Sequence, residues 1–396
     1  MKIGLLPLLT SLSFSVWGQI DVNSYLGSYA SDFEVNIIQK QREFLTSNNF
    51  NSPAIRELEF RLRSPQFSEA PDDFRFRVSP INPWERKANK NYTSLLNERM
   101  DIEEQVYFLQ ILSTRYHLLI RLLFIEKRLK FYTSFNDESR LLISTYSQME
   151  GRVREVIQLR KSIFENNLRI DGLIGERNEA EYMISRHLNG DNKLLLTGFN
   201  TITPTQIQQE LLLETESEES LLVLNEKNKL RLAESEWNIN KSESFGNIGF
   251  FQAEYRSNRG DAFNENLGWQ IGFQIPVFNK DNPDLQRRKL DLLEDEIEVK
   301  KVEEAVDLNK FEYRNRLKTL LKQYQNVEDE LVLLESEFNT EDVAVLLELN
   351  DFKTSLNSEK IKLHQEILTI YVYWLSATSR LMGDPLIKQL SKEKTL

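Results

Sequence analysis

The chain has 396 residues, a formal net charge of -11, 14 glycines, 10 prolines and no cysteine. So acidic a balance speaks against nucleic acid as a partner, and without cysteine there are no disulfides, no thiol chemistry and no site for lipid attachment. The scarcity of turn formers beside abundant Glu, Lys, Arg and Leu indicates long helices rather than ordinary globules.

In chain order, Lys2 followed by the apolar run Ile3 to Val16 and the small residue Gly18 reads as a signal peptide over residues 1–18, with a mature chain beginning at Gln19. A short amphipathic helix is expected over 30–48, and Pro53 breaks the chain. Residues 55–63 alternate, with Leu58, Phe60 and Leu62 on one face and Glu57, Glu59, Arg61 and Arg63 on the other. After a turn-rich loop, a second strand over 73–80 sets Phe74, Phe76 and Val78 against Arg75 and Arg77. A long helix is expected over 84–150, about 100 Å at 1.5 Å per residue. Its apolar positions, among them Val106, Leu109, Leu112, Tyr116, Leu119, Leu122, Leu123 and Leu129, recur at helical spacing. Gly151 punctuates, and 152–188 returns as a helix.

Gly190, Gly198 and Pro204 mark a break before a helix expected over 205–243. Strands over 247–256 and 267–276 flank a polar loop. Phe251, Ala253 and Tyr255, then Leu267, Trp269, Ile271, Phe273 and Ile275, occupy their apolar faces. A second long helix is expected over 284–338, about 80 Å by the same rise. Asn339 to Asp342 form its turn, 343–383 returns, and 387–396 is a C-terminal tail. After the signal no segment reads as a transmembrane helix. The most apolar stretch, Tyr116 to Leu129, is interrupted by His117, Arg121, Glu126, Lys127 and Arg128, whereas a span needs about 20 mostly apolar residues.

The order strand pair, long helix, turn and return helix occurs twice. Phe76 and Phe273 lie 197 residues apart, and the helix ends Leu188-Asn189-Gly190 and Leu381-Met382-Gly383 lie 193 apart. Two landmarks at nearly one offset indicate duplication, with a first structural repeat over 19–205 and a second over 206–386. The helix at 30–48 would play in one half the part of 205–243 in the other.

Strands with one apolar and one charged face need an apolar surrounding on one side and water on the other. Four of them cannot close a barrel, since even eight leave an interior just filled by side chains, and a membrane tolerates no open edges. The simplest solution is a cyclic trimer, four strands per protomer in a shared 12-stranded transmembrane β-barrel. The charged helices would then form a water-filled α-barrel beneath it, sealed by coiled-coil packing. The expected fold class is mainly α with a small β part: long antiparallel helical hairpins plus these strands. Trp269 is the candidate for the membrane-interface aromatic, against a bland role in a core.

At this point the chain resembles the TolC-like outer-membrane efflux proteins. Ile275-Pro276-Val277-Phe278-Asn279 resembles their strand-to-helix junction, Gly151 to Val156 their first periplasmic helix-turn-helix, and Tyr371 to Gly383 their closing helix. The resemblance covers about residues 25–386 and rests on the duplicated order rather than on any one motif. The chain departs from the pattern at Lys280-Asp281-Asn282-Pro283, where a glycine is usual, and at the first junction, Ser79-Pro80-Ile81-Asn82-Pro83. Phe278 to Asn282 leans toward the metal-efflux branch.

The resemblance implies a passive trimeric conduit of a tripartite efflux or type I secretion system. It would sit in the outer-membrane lipid of a Gram-negative bacterium, its helices in the periplasm, docking a periplasmic adaptor and an inner-membrane pump. It also implies a gate at the helical tip. Glu348 and Asp351, three apart on one helical face, and Glu155 in the equivalent place of the first half, are the pore or gate candidates. Repeated three-fold they would form carboxylate rings selecting cations; the bland reading is solvated acids on a charged helix. Gly151, Arg152, Arg154, Thr340 and Asp342 are the tip and adaptor-contact candidates.

No enzyme is expected, and no cofactor or metal. His117, His187 and His364 are dispersed without ligand spacing, and neither a phosphate loop nor a nucleophile elbow occurs. The alternative to a conduit is a secreted periplasmic helical rod with a structural or interaction role, which needs neither apolar-out strands nor the duplication.

Overall fold

The computed structural model describes residues 19–47, 53–63, 73–188, 193–196, 199, 201–213, 219–243, 247–256, 267–274, 283–337, 343–382 and 389–391. The expected signal peptide, Gly190, Gly198, the 275–282 junction, Thr340, Asp342, Gly383 and nearly all of the tail lie outside these residues. The elements are β1 (Gln19–Ile20), α1 (Val22–Gly27), a 3-10 turn (Ser28–Ser31), α2 (Phe33–Ser47), β2 (Ile55–Arg63), β3 (Asp73–Pro80), α3 (Pro83–Tyr146), α4 (Val153–His187), β4 (Lys193–Leu194), α5 (Pro204–Leu212), α6 (Leu221–Glu243), β5 (Asn247–Arg256), β6 (Leu267–Gln274), α7 (Pro283–Glu337) and α8 (Val343–Ala377).

The lengths of α3 and α7, 64 and 55 residues, follow from composition. Each has proline at its first position, where the missing N–H costs nothing, and neither contains glycine or a further proline. The sequence suggested one helix over 205–243, but the structure has two. Thr203 caps α5 through a reciprocal box with Gln206, and α5 ends at Leu212. Between α5 and α6 the sequence ETESEES, residues 214–220, carries four glutamates among Ser and Thr, and serine competes for backbone bonds. The last helix ends at Ala377, short of the expected 383. Thr378 Oγ1 donates back to Trp374 O, and Ser379 takes a left-handed φ of 56°. One stretch of α3 is long and apolar enough to cross a membrane, contrary to the sequence reading, but more than half of it is buried in protein, as in a core helix.

The chain forms two compact units. The first comprises Met1–Asp32, Phe108–Ser217 and Lys310–Leu396; the second comprises Phe33–Tyr107 and Glu218–Asn309.

The first unit holds the larger helical core. Leu109, Leu112, Tyr116, Leu119, Phe124 and Ile125 of α3 are buried, as are Ile367, Leu368, Tyr371, Val372 and Trp374 of α8 and Leu317 of α7. Each such side chain contributes roughly 1.5–3 kcal/mol by leaving water. Both ends of the chain are knitted onto the segment between α4 and α5. β1 pairs in parallel with β4, and Ile202 N donates to Leu390 O at 2.7 Å.

Arg115, fully buried on α3, clasps the N-terminal segment. Its Nη1 donates to Tyr25 O (2.6 Å) and Ser28 Oγ (2.7 Å), and its Nη2 to the Asp32 carboxylate (3.0 Å). His117 lies against the Tyr373 ring, and His364 lies between Phe124 and Tyr324 near Ile202 O. Burial pushes both imidazoles down to about 4, with Lys127 adding to the effect on His364.

In the second unit β2, β3, β5 and β6 form one antiparallel sheet in that order, leaving β2 and β6 as open edges. At the entry to α3, Asn82 Oδ1 accepts from Trp84 N (3.0 Å), while its Nδ2 donates to Ser242 O of α6 (3.0 Å). One buried side chain thus caps the long helix and ties it to the helix that feeds β5.

Removing the Arg115 guanidinium takes away the ion pair with Asp32 and the buried donor to the Tyr25 and Leu26 carbonyls. Arg115→Leu is expected to cost roughly 3 kcal/mol and to expose residues 19–32 to protease, measured by denaturant titration and limited proteolysis. The buried histidines set a pH dependence. Unfolded imidazoles titrate near 6.5, so stability is complete above that value and falls as pH drops toward 4, by about 1.4 kcal/mol per pH unit per histidine. Thermal unfolding at pH 7 and pH 5 should show a shallower slope in His117→Gln/His364→Gln than in the parent chain.

Candidate functional site

The sheet is built from cross-strand rows. Leu62, Phe74, Tyr255 and Leu267 form one row, Phe60, Phe76, Ala253 and Trp269 the next, and Leu58, Val78, Phe251 and Ile271 a third. Directly opposed residues share a face, so the three rows make a continuous apolar surface. That surface is the exposed one: Phe60 is 60% exposed, Trp269 77% and Phe273 69%. In a water-soluble sheet these residues would be covered.

The charged side chains stand on the opposite face, where Gln252 is buried, only 6% exposed. Glu59 takes Arg61 and, at 3.9 Å, Arg77. Glu254 takes Arg75 at 3.5 Å and Arg256 at 2.6 Å. Gln252 reaches Gln270 at 3.4 Å. A bulge between Ile248 and Phe250 accompanies the pairing of Phe250 with Gly272 on this face. The Phe250 ring lies over Gly272, where an added Cβ would come within 2.2 Å of it, and the Arg77 guanidinium stacks above the ring at 3.9 Å. Sequence reading found the alternation that makes this face. It did not find the sharing of carboxylates or the ring over Gly272, which depend on register.

The same unit carries two exposed apolar stripes at helical spacing. Phe33, Ile37 and Phe44 lie on α2, which precedes the β2 edge; Leu290, Leu293 and Ile297 lie on α7, which follows the β6 edge.

The tip candidates lie in the first unit. Between α3 and α4 the chain turns at Gly151, whose φ of 83° favours glycine. Arg152 Nη1 donates to Glu155 Oε1 at 2.9 Å. The Glu155 carboxyl is held below its usual range, first by its own backbone N–H at the start of α4 and then by Arg152. Arg154 and Glu348 are exposed. Asp351 is half-buried and accepts from Gln158 Nε2 at 2.8 Å. These two residues are 193 positions apart, the offset of the duplicated helix ends. The structure therefore brings Arg152 to Glu155 and Asp351 to the return helix of the other repeat. Tyr146, Leu159 and Leu347 pack together there. A groove of about 780 Å³ beside them is lined by Leu141, Leu142, Leu334, Leu346 and the Lys353–Glu335 pair, a feature sequence reading did not identify.

By sequence, no protein-family model and no curated protein matches the chain. By structure it is similar to CusC, from work on folding and transmembrane channel formation, with a TM-score of 0.66 and 10% identity over 90% of this chain and 91% of that one. It is similar to the outer membrane protein VceC of Vibrio cholerae, with a TM-score of 0.64 and 8% identity over 90% and 95%. It is also similar to the CmeC outer membrane channel of Campylobacter jejuni, at 0.59 and 12% over 94% and 90%. The chain thus has the TolC-like fold that its duplicated order resembles.

Gly272→Val would drive the Phe250 ring off its seat and out from under Arg77. A loss of about 1–3 kcal/mol is expected, read as thermal stability in detergent. Most of it should be recovered when Phe250→Ala is added.

Proposed function

We propose that this chain is the outer-membrane channel of an efflux system, a passive cyclic homotrimer whose helices extend into the periplasm. The observation that carries the reading is the inverted sheet: its apolar rows are exposed, its charged rows are less so, and both edges are open. Such a sheet is one third of a closed wall with lipid outside and water inside. Trp269, on the exposed face, is then a membrane-interface aromatic. The fold shared with outer membrane channels supports the same reading.

Closure of the ring joins β6 of one copy to β2 of the next. It also brings the α7 stripe to the α2 stripe of the neighbour, burying Leu290, Leu293 and Ile297 against Phe33, Ile37 and Phe44. The expected signal peptide delivers the chain to the periplasm. At the tip, Glu348, Asp351 and Glu155 stand as rings of carboxylates favouring cations. Gly151, Arg152, Arg154, Thr340 and Asp342 present the turns to a periplasmic adaptor, which would couple the channel to an inner-membrane pump.

The mature protein should leave isolated outer membranes only in detergent and run as a trimer by light scattering. Release without detergent as a monomer or dimer would sink the reading in favour of a helical rod. Phe44→Glu or Ile297→Glu should raise the monomer fraction about tenfold or more, because each places an unpaired charge in the seam.

A further inference from the structure

The polar face of the sheet carries more guanidinium groups than carboxylates. Among the described residues it carries Arg61, Arg63, Arg75, Arg77 and Arg256 against Glu57, Glu59, Asp73 and Glu254. Glu59 and Glu254 are each divided between two arginines. A guanidinium has five N–H donors, so most of them reach no carboxylate oxygen. The Nε atoms of Arg75 and Arg77 are enclosed and have no hydrogen-bond partner among the described residues.

Arg61 stands directly opposite Arg75 in the register, a like-charge placement that costs stability in an isolated sheet. This occurs in a chain of net charge -11, so composition does not account for it. Beside the arginines, Gly268 projects no side chain from β6, while the Phe250 ring, seated on Gly272, backs the Arg77 guanidinium.

We propose that this face is an anion-receptive lining, and that the solutes it favours are anions, above all those bearing a carboxylate, sulfonate or phosphate. The inference rests on the channel reading, which turns this face to the lumen. Planar guanidinium groups take two-oxygen anions in a fork, and their donors left over from Glu59 and Glu254 are free to do so. The ring of Phe250 backs the Arg77 guanidinium and holds its fork in place. The barrel would then attract charge of the sign opposite to that favoured by the carboxylates proposed at the tip.

The test uses the assembled full chain in planar bilayers under a KCl gradient, with chloride as the probe anion. Arg61→Gln/Arg75→Gln/Arg77→Gln should raise the potassium-over-chloride permeability ratio about threefold or more, and the Lys triple variant should restore it. Arg256→Gln, at an exposed position, should move the ratio in the same direction and keeps the test decisive where the triple variant does not assemble. Conducting channels whose ratio is unchanged in the Gln variants overturn the lining while leaving the channel standing. A parent chain that forms no conducting pores removes the channel reading and this inference with it.

Discussion

A sheet with its apolar side exposed and its charged side half-covered has no stable place alone in water. Leu58, Phe60, Leu62, Trp269, Ile271 and Phe273 are all more than half exposed, and at about 25 cal/mol per Å² their burial against lipid is worth many kilocalories. The unpaired edges of β2 and β6 add backbone donors and acceptors that neither lipid nor a closed wall would leave unsatisfied. Every other feature of the second unit is consistent with this constraint. Asn82 caps α3 and ties it to α6, and α2 and α7, which precede β2 and follow β6 in the chain, carry exposed apolar stripes.

The first unit solves a different problem. Its helices bury their apolar stripes against one another, and several polar groups in that core find specific partners. Arg115 satisfies two carbonyls, a hydroxyl and a carboxylate of the N-terminal segment. Tyr371, fully buried, donates its hydroxyl to Glu210. The pairing of β1 with β4 and of Ile202 with Leu390 lets the middle of the chain hold both of its ends. A core built this way keeps long helices in register without disulfides, which the chain has no cysteine to make.

The order strand pair, long helix and return helix occurs twice along the chain, with Pro83 opening α3 and Pro283 opening α7. The two turns differ in their polar contacts. Arg152 pairs with Glu155 at the first turn, whereas the polar contact of Asp351 in the second repeat crosses to α4.

What the sequence determined by itself is what local pattern can carry. Period-2 alternation set the four strands and their two faces, and the absence of glycine and proline from Trp84 to Tyr146 and from Asp284 to Glu337 set the long helices. The repeated order set the architecture. The separation of α5 from α6 was less legible, because ETESEES between them has no apolar residue but is rich in glutamate, a good helix former. Only tertiary structure decided the rest: which arginines share Glu59 and Glu254, that Phe250 covers Gly272, that Asp351 meets Gln158, and that Arg115 clasps residues 25–32. These partners lie up to 193 positions apart, and a one-residue slip in strand register would exchange those of the sheet. Such contacts are properties of the assembled sheet and core, not of any stretch of chain.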